Sequence, residues 1–218
     1  GIMSLDKVLV TGSSKGLGYY MAQFFLEKGH PVILHGRNRE KLNEVNKDFS
    51  NKGYNTSHIL GDLSKEEDIK KISEYAIKEE VKIIVNNAGL TCPGLGFTEI
   101  SNEIINNMID INLKAPILLL SLLHDQINFV ININSMVGLE AKANRTMYAA
   151  SKWGLRGFSD SLKKENNKYQ ILDVYPTNIK TRPERENAMD VHNVVAMIYS
   201  AMIDKKQELI IDGRVNDY

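Results

Sequence analysis

Short apolar runs rich in β-branched residues recur along the chain, each followed by a stretch long enough for an amphipathic helix. The runs are Val8-Leu9-Val10, Val32-Ile33-Leu34, His58-Ile59-Leu60, Ile83-Ile84-Val85, Phe129-Val130-Ile131-Asn132-Ile133, Ile171-Leu172-Asp173-Val174 and Leu209-Ile210-Ile211. Most are apolar at every position rather than alternately, which suits parallel strands covered on both faces. In the first intervening stretch Leu17, Tyr20, Met21, Phe24 and Phe25 lie on one helical face, and Gly29 stands where a C-terminal cap belongs. Ser64-Lys65-Glu66-Glu67 reads as a capping box that opens the helix after the third strand. Right-handed crossovers then give an α/β, doubly wound sheet of about seven parallel strands with helices on both faces. No linker, repeat or low-complexity tract divides residues 1–218, so one Rossmann-type domain is expected. Ligands of such a sheet bind beyond the carboxyl ends of its strands, near the reversal of strand order.

Composition excludes several classes of function. Lys and Arg number 27, as do Asp and Glu, and this balance gives no support for nucleic-acid or membrane-surface binding. The single cysteine, Cys92, forms no internal disulfide and suits a reducing compartment. None of the five histidines has metal-ligand spacing to a partner, so no catalytic metal is expected. No apolar run approaches the roughly 20 residues of a membrane span. The chain reaches Val8 too soon for a signal peptide to precede it, and a cytoplasmic location is expected.

The residues that follow the strands carry the chemistry. After the first strand comes Thr11-Gly12-Ser13-Ser14-Lys15-Gly16-Leu17-Gly18, which runs straight into a helix. Glycines there let backbone N–H groups approach a pyrophosphate, and the helix N-terminus adds partial positive charge. The Thr-Gly-xxx-Gly-x-Gly spacing resembles the short-chain dehydrogenase/reductase family, and the resemblance runs through nearly the whole chain. It implies a nicotinamide dinucleotide held by Gly12, Ser14, Lys15, Gly16, Leu17 and Gly18. Where many NAD-binding proteins place an acid after the second strand, this chain reads Leu34-His35-Gly36-Arg37-Asn38. Arg37, with Lys15 and beside Asn38, can meet a 2′-phosphate, so NADPH is expected over NADH. The alternative is that both cations are ordinary solvated charges. Asp62-Leu63 resembles the family's adenine-contacting pair, although Asp62 also suits a turn beside Ser64. Asn86-Asn87-Ala88-Gly89 matches the Asn-Asn-Ala-Gly motif that supports the sheet and lines the cofactor.

Ser135 follows the fifth strand, and Tyr148-Ala149-Ala150-Ser151-Lys152 comes thirteen residues later. Tyr148 and Lys152 share a helical face at i and i+4. A phenol exchanges protons poorly near neutrality, and a nearby cation lowers its pKa. The resemblance implies Tyr148 as proton donor, Ser135 as the group that orients the substrate oxygen, and Lys152 as the cation that tunes Tyr148 and holds the nicotinamide ribose. It also implies Asn112 as holder of a relay water. A Tyr-xxx-Lys pair alone is common on exposed helices; the ordered set is not.

The segment after the sixth strand, Tyr175-Pro176-Thr177-Asn178-Ile179-Lys180-Thr181, resembles the family's Pro-Gly-x-x-x-Thr, with Pro176, Ile179 and Thr181 beside the nicotinamide. Thr177 replaces the usual glycine, which leaves the local backbone open. Residues 182–190 form a short stretch where family members carry a long lid, so an open site is expected. After Leu209-Ile210-Ile211 the long glycine-rich tail of ketoacyl-carrier-protein reductases is absent, which lowers that role. The resemblance also implies a homodimer or homotetramer, although Ile117-Leu118-Leu119-Leu120 and Phe158 could equally face this chain's own core. The leading expectation is an NADPH-dependent carbonyl reductase that reduces a ketone or aldehyde to an alcohol, with the open site suited to a bulky, carrier-bound or varied substrate. An NADP-dependent alcohol or sugar dehydrogenase, or a non-catalytic NADP-binding sensor or scaffold, are the alternatives.

Overall fold

The computed structural model describes residues 5–91, 94–177, 179–180 and 189–213. The seven expected strands are all present: β1 (Val8–Val10), β2 (Val32–Gly36), β3 (Thr56–Leu60), β4 (Ile83–Asn86), β5 (Phe129–Ile133), β6 (Gln170–Thr177) and, last in the chain, β9 (Glu208–Asp212). They form one parallel sheet in the order β3-β2-β1-β4-β5-β6-β9. A separate pair, β7 (Ile179–Lys180) and β8 (Met189–Asp190), lies just before the last helix.

Both faces are covered, as the continuously apolar runs require. Val8, Val10, Val32, Leu34, Ile83 and Val85 pack with α1 (Gly16–Glu27), α2 (Arg39–Asn51) and α7 (Val191–Ile203). Their neighbours Leu9, Ile33 and Ile84 point the other way, onto α3 (Glu66–Lys78) and α5 (Ala115–Leu123). Each strand therefore feeds two cores, and an exposed polar face is never needed. Leu119 and Leu120 are buried in this second core, while Leu122 on the same helix is exposed.

Local details explain the element ends. Gly29 takes φ +98° and gives its N–H to Leu26, and His30 N–H reaches back to Phe25. This is the left-handed cap expected after α1. The capping box at Ser64 does not form. Ser64 gives both its N–H and its hydroxyl to the Asp62 carboxylate, at 2.9 and 2.7 Å, and Lys65 occupies the cap position without a side-chain bond. A short turn closed by Asp62 competes for the same hydroxyl and wins.

Between α4 (Asn102–Ile109) and α5 the helix widens into a π-turn, Asp110–Lys114, with Ala115 N–H bonded to the Asp110 carbonyl. Pro116, four residues after Asn112, has no N–H to give to the Asn112 carbonyl, so regular α-helix cannot continue there. At Thr177 the strand simply continues, in register with Asp212, and the residue is not among the described positions of positive φ. No glycine is required. Among the described residues no helix is long and apolar enough to cross a membrane.

Candidate active site

The order of strands reverses between β1 and β4, and a cleft of about 580 Å³ opens at their carboxyl ends. Gly12, Ser14, Lys15, Gly16, Leu17, Arg37, Asp62, Leu63, Asn87, Ala88 and Gly89 all line it. The sequence motifs drawn from four separate strand ends thus meet in one place. Asn38 is not among the lining residues. It caps α2, its Oδ1 accepting from Lys41 N–H at 3.1 Å.

The glycines of the turn have separate reasons. Gly12 (φ +61°) and Gly16 (φ +58°) hold left-handed conformations. A Cβ on Gly16 would meet nothing within 4 Å, so that glycine borders open space in the cleft. A Cβ on Gly18 would fall 2.3 Å from the Gly12 carbonyl oxygen and 2.4 Å from Asn87 Nδ2. Asn87 Nδ2 in turn donates to the Thr11 and Gly12 carbonyls, each at 3.1 Å. Thr11 Oγ1 accepts from Asn87 and Ala88 N–H at 3.0 Å. The Asn-Asn-Ala-Gly segment is therefore a clamp on the glycine turn.

His35 was not singled out in the sequence, yet it bolts this turn in place. It is buried, and its Nδ1 accepts from Gly12 N–H at 3.0 Å. That fixes the neutral tautomer, whose Nε2–H then donates to the Gly61 carbonyl at 2.9 Å. Burial pushes its pKa below the ordinary histidine value, against the hydrogen bond to Gly61 and the carboxylates of Asp62 and Asp68. Asp62 itself is held lower than usual, first by the Ser64 N–H, and the Arg37 charge contributes. Its carboxylate serves the turn as well as the cleft.

The reactive groups sit beside the cleft, along α6 (Thr146–Leu162) and the end of β5. Asn134 fastens the two together: Nδ2 donates to the Lys152 carbonyl at 3.0 Å, while Oδ1 accepts from Ser135 N–H at 2.7 Å. Ser135 is thereby aimed at α6, where its hydroxyl accepts from Val137 N–H at 3.3 Å and, beside the Tyr148 phenol, works against the rise that burial gives that group's pKa. Lys152 is buried; its Nζ donates to the Ile133 carbonyl at 3.2 Å and lies 5.6 Å from the Tyr148 ring centroid. Burial pulls the Lys152 pKa down to about 8.

The expected lowering of Tyr148 by Lys152 is not what this geometry gives. Burial raises the Tyr148 pKa, and the opposing influences are Ser135 and Arg145 rather than Lys152. The lysine lies over the ring face, and its own charge is weakened by desolvation.

Asn112 is buried in the π-turn, with its side chain fully engaged. Oδ1 accepts from Leu90 N–H at 2.7 Å and Nδ2 donates to the Leu90 carbonyl at 2.9 Å, with Ser151 Oγ at 3.3 Å. The side chain is thus a brace for the chain leaving Gly89. Behind the site, Asn86, Asn132 and Asp173 stand side by side on β4, β5 and β6. Asn86 Nδ2 donates to Asn132 Oδ1 at 2.9 Å, and Asn132 Nδ2 to Asp173 Oδ1 at 3.2 Å. Asp173, wholly buried, ends the row on Ser159 of α6 and on Nζ of Lys163, the residue capping that helix, at 2.6 Å. This row ties the helix that carries Tyr148 to the middle of the sheet.

Pro176, next to last in β6, is in register with Ile211. Ile179 is placed in β7, and nothing further is described of its side chain; Thr181, residues 182–188 of the short lid stretch, and Cys92 lie outside the described residues. Trp153 is exposed, with the Arg156 guanidinium 5.2 Å from its ring. Among the described residues no cluster of His, Cys, Asp and Glu could hold a metal ion.

Comparison with known proteins agrees with this layout. The family profile described as short chain dehydrogenase matches residues 6–211. A 3-oxoacyl-(acyl-carrier-protein) reductase of Chlamydia muridarum is 34% identical over 168 residues, covering 72% of this chain and 66% of the relative. An NADPH-dependent pterin aldehyde reductase of Arabidopsis thaliana is 31% identical over 173 residues, covering 75% of this chain and 70% of the relative. The chain thus spans about two thirds of the length of these relatives. The crystal structure of a metagenomic short-chain oxidoreductase in complex with NADP superposes with a TM-score of 0.82 at 25% identity, covering 96% of this chain and 99% of that one.

Proposed function

The chain belongs to the short-chain dehydrogenase family, and from that premise we propose that it is an NADPH-dependent reductase of ketones or aldehydes. The observation that carries the reading is the Ser135–Tyr148 hydroxyl pair, set at the head of α6 with buried Lys152 one turn behind. The cofactor cleft fits the same reading. Gly16 leaves open space at the N-terminus of α1, where unpaired N–H groups suit a pyrophosphate. Lys15 and Arg37 are exposed at its rim, and neither is paired with a carboxylate among the described residues. They suit a 2′-phosphate. A relative and a solved structure that bear NADPH or NADP in their names support that choice.

When bound, the nicotinamide supplies the hydride to the carbonyl carbon. The residues of this chain supply the rest. Tyr148, kept protonated near neutrality by burial, gives its proton to the substrate oxygen. Ser135 donates a hydrogen bond to the same oxygen as negative charge gathers there. Lys152, its pKa drawn down to about 8 by burial, passes a proton forward to Tyr148. The proposed holder of the water that resupplies it is the Asn112 main chain, since the Asn112 side chain is engaged by Leu90 and Ser151. A homodimer or homotetramer is part of the same proposal; Leu122 and Trp153 are large apolar side chains left exposed on α5 and α6.

The test is fluorescence titration with NADPH and with NADH, followed by NADPH consumption against ketones, aldehydes and quinones. Tighter NADPH binding with turnover of a carbonyl supports the proposal. Tighter NADH binding overturns the cofactor assignment, and binding without turnover on the whole panel favours a sensor.

A further inference from the structure

Arg145 stands immediately before α6, and its placement is set by an unusual backbone. Asn144 has φ +61°, one of three described non-glycine residues with positive φ, a conformation that asparagine tolerates better than most. The kink turns the Arg145 guanidinium onto the chain that follows β4. Its Nη1 lies only 2.8 Å from where a Cβ on Gly94 would fall, so the guanidinium packs directly on that glycine. Nη1 also donates to the Asn144 carbonyl at 3.0 Å.

That is one bond from a group with five N–H donors. Among the described residues no carboxylate pairs with Arg145. Glu99, an acid of the same neighbourhood, turns Oε1 to the Gly96 N–H at 3.1 Å. Arg145 as a residue is half-buried, and its guanidinium keeps donors that no described side chain takes.

Its position relative to Tyr148 gives it a use. Arg145, Tyr148 and Lys152 follow one another at i, i+3 and i+7, along one side of α6. The Lys152 end faces the cofactor cleft, its Nζ 3.8 Å from the Cβ position of Gly89, which lines that cleft. Arg145 is at the other end, on the side of Tyr148 away from the cofactor, where the rest of a substrate must extend. Three residues of helix rise only about 4.5 Å. The charge of Arg145 reaches the Tyr148 phenol.

We propose that Arg145 selects carbonyl substrates that carry an anionic group, carboxylate or phosphate, a few bonds from the reacting carbonyl. This rests on the reading of Tyr148 as proton donor. An anion there fills the idle donors of the guanidinium and holds the carbonyl oxygen between Tyr148 and Ser135. The same residue discriminates against neutral analogues, which would strip water from the cation without replacing its hydrogen bonds.

The test compares NADPH-dependent reduction of 4-oxopentanoate with its methyl ester, and of dihydroxyacetone phosphate with dihydroxyacetone. Wild-type protein, Arg145→Gln and Arg145→Lys are assayed together. In the wild type kcat/KM favours the anionic member of at least one pair by about ten- to a hundredfold, as a charge-assisted hydrogen bond allows. The pair that shows it identifies carboxylate or phosphate. Arg145→Gln abolishes the ratio by raising KM for the anion, and Arg145→Lys keeps part of it. An equal ratio in Arg145→Gln, or no anion preference in the wild type, overturns the proposal. If none of the four compounds is reduced, the reductase reading rests on the wider carbonyl panel. Arg145 is then judged by calorimetric titration of both anions into NADP+-loaded protein. Binding that Arg145→Gln loses supports the proposal, and absent or unaltered binding overturns it.

Discussion

Acid weakens this fold through His35, and a single substitution separates that effect from the rest of the chain. At neutral pH the buried ring accepts from Gly12 N–H and donates to Gly61. Protonation puts a second N–H on Nδ1, facing the Gly12 donor, and the glycine turn loses its bolt. Burial lowers the folded pKa, so the unfolded chain takes up the proton first, near the ordinary value of about 6.5. The stability present above that pH is lost as pH falls toward the depressed folded value. At pH 5.5 the loss from this residue is at most about 1.4 kcal/mol, one pH unit below the unfolded pKa. Asp62 and Asp68 oppose it, and His30, also lowered by burial, adds its own part far from the cleft, between the Asp6 carbonyl and the Tyr199 hydroxyl. His35→Asn places an amide oxygen where Nδ1 was, keeps an acceptor for Gly12 and removes the titration. It gives up the Gly61 bond, at a cost of about 1–3 kcal/mol. Urea unfolding at pH 7.5, 6.5 and 5.5 then shows a lower but flatter profile for the variant than for the wild type. An acid slope that is the same in both would refute the role of His35.

Other residues give sharper expectations. Gly16→Ala costs about 1–2 kcal/mol from the left-handed backbone alone, whereas Gly18→Ala costs about 3 kcal/mol or more, because its methyl group meets a backbone carbonyl and breaks the Asn87 clamp. Urea midpoints for the two variants check the order. Arg37→Ala weakens NADPH binding about tenfold or more in fluorescence titration and leaves NADH binding nearly unchanged. Asp173→Ala removes the acceptor of Asn132 Nδ2 and of the Ser159 hydroxyl, leaves Lys163 on the Gln207 carbonyl and Asp160, and lowers unfolding stability by about 1–3 kcal/mol.

The sheet was readable in the sequence because its strands are apolar at every position, and nothing but cover on two faces accommodates that pattern. The glycine turn, Asn87, Ser135, Tyr148 and Lys152 were readable because each follows a strand, and all strand ends converge at one edge. The residues that escaped notice interrupt strands instead. Asn132 and Asp173 each place a polar side chain in an otherwise apolar run, and His35 follows one; their partners lie far along the chain, on neighbouring strands, in the turns after β1 and β3, or at α6. Asn132 and Asp173 meet only once β5 and β6 are neighbours in a given register. A polar residue at the same height in three successive runs was the available signal. The Ser64 box failed for a local reason, since Asp62 two residues earlier offers its hydroxyl a nearer acceptor. Arg145 carried no signal in the sequence at all, because its importance comes from the kink at Asn144 and from Gly94 across the gap.

Tyr148→Phe removes one oxygen from the centre of the proposed chemistry and leaves the ring in its contact with Lys152. Measured side by side with the wild type, on whichever carbonyl compound the wild type reduces, the variant should bind NADPH with unchanged affinity. Its kcat should fall about a hundred- to ten-thousandfold, the range for loss of a positioned proton donor. A kcat within about threefold of the wild type, with cofactor binding intact, would contradict the assignment of Tyr148 as the acid.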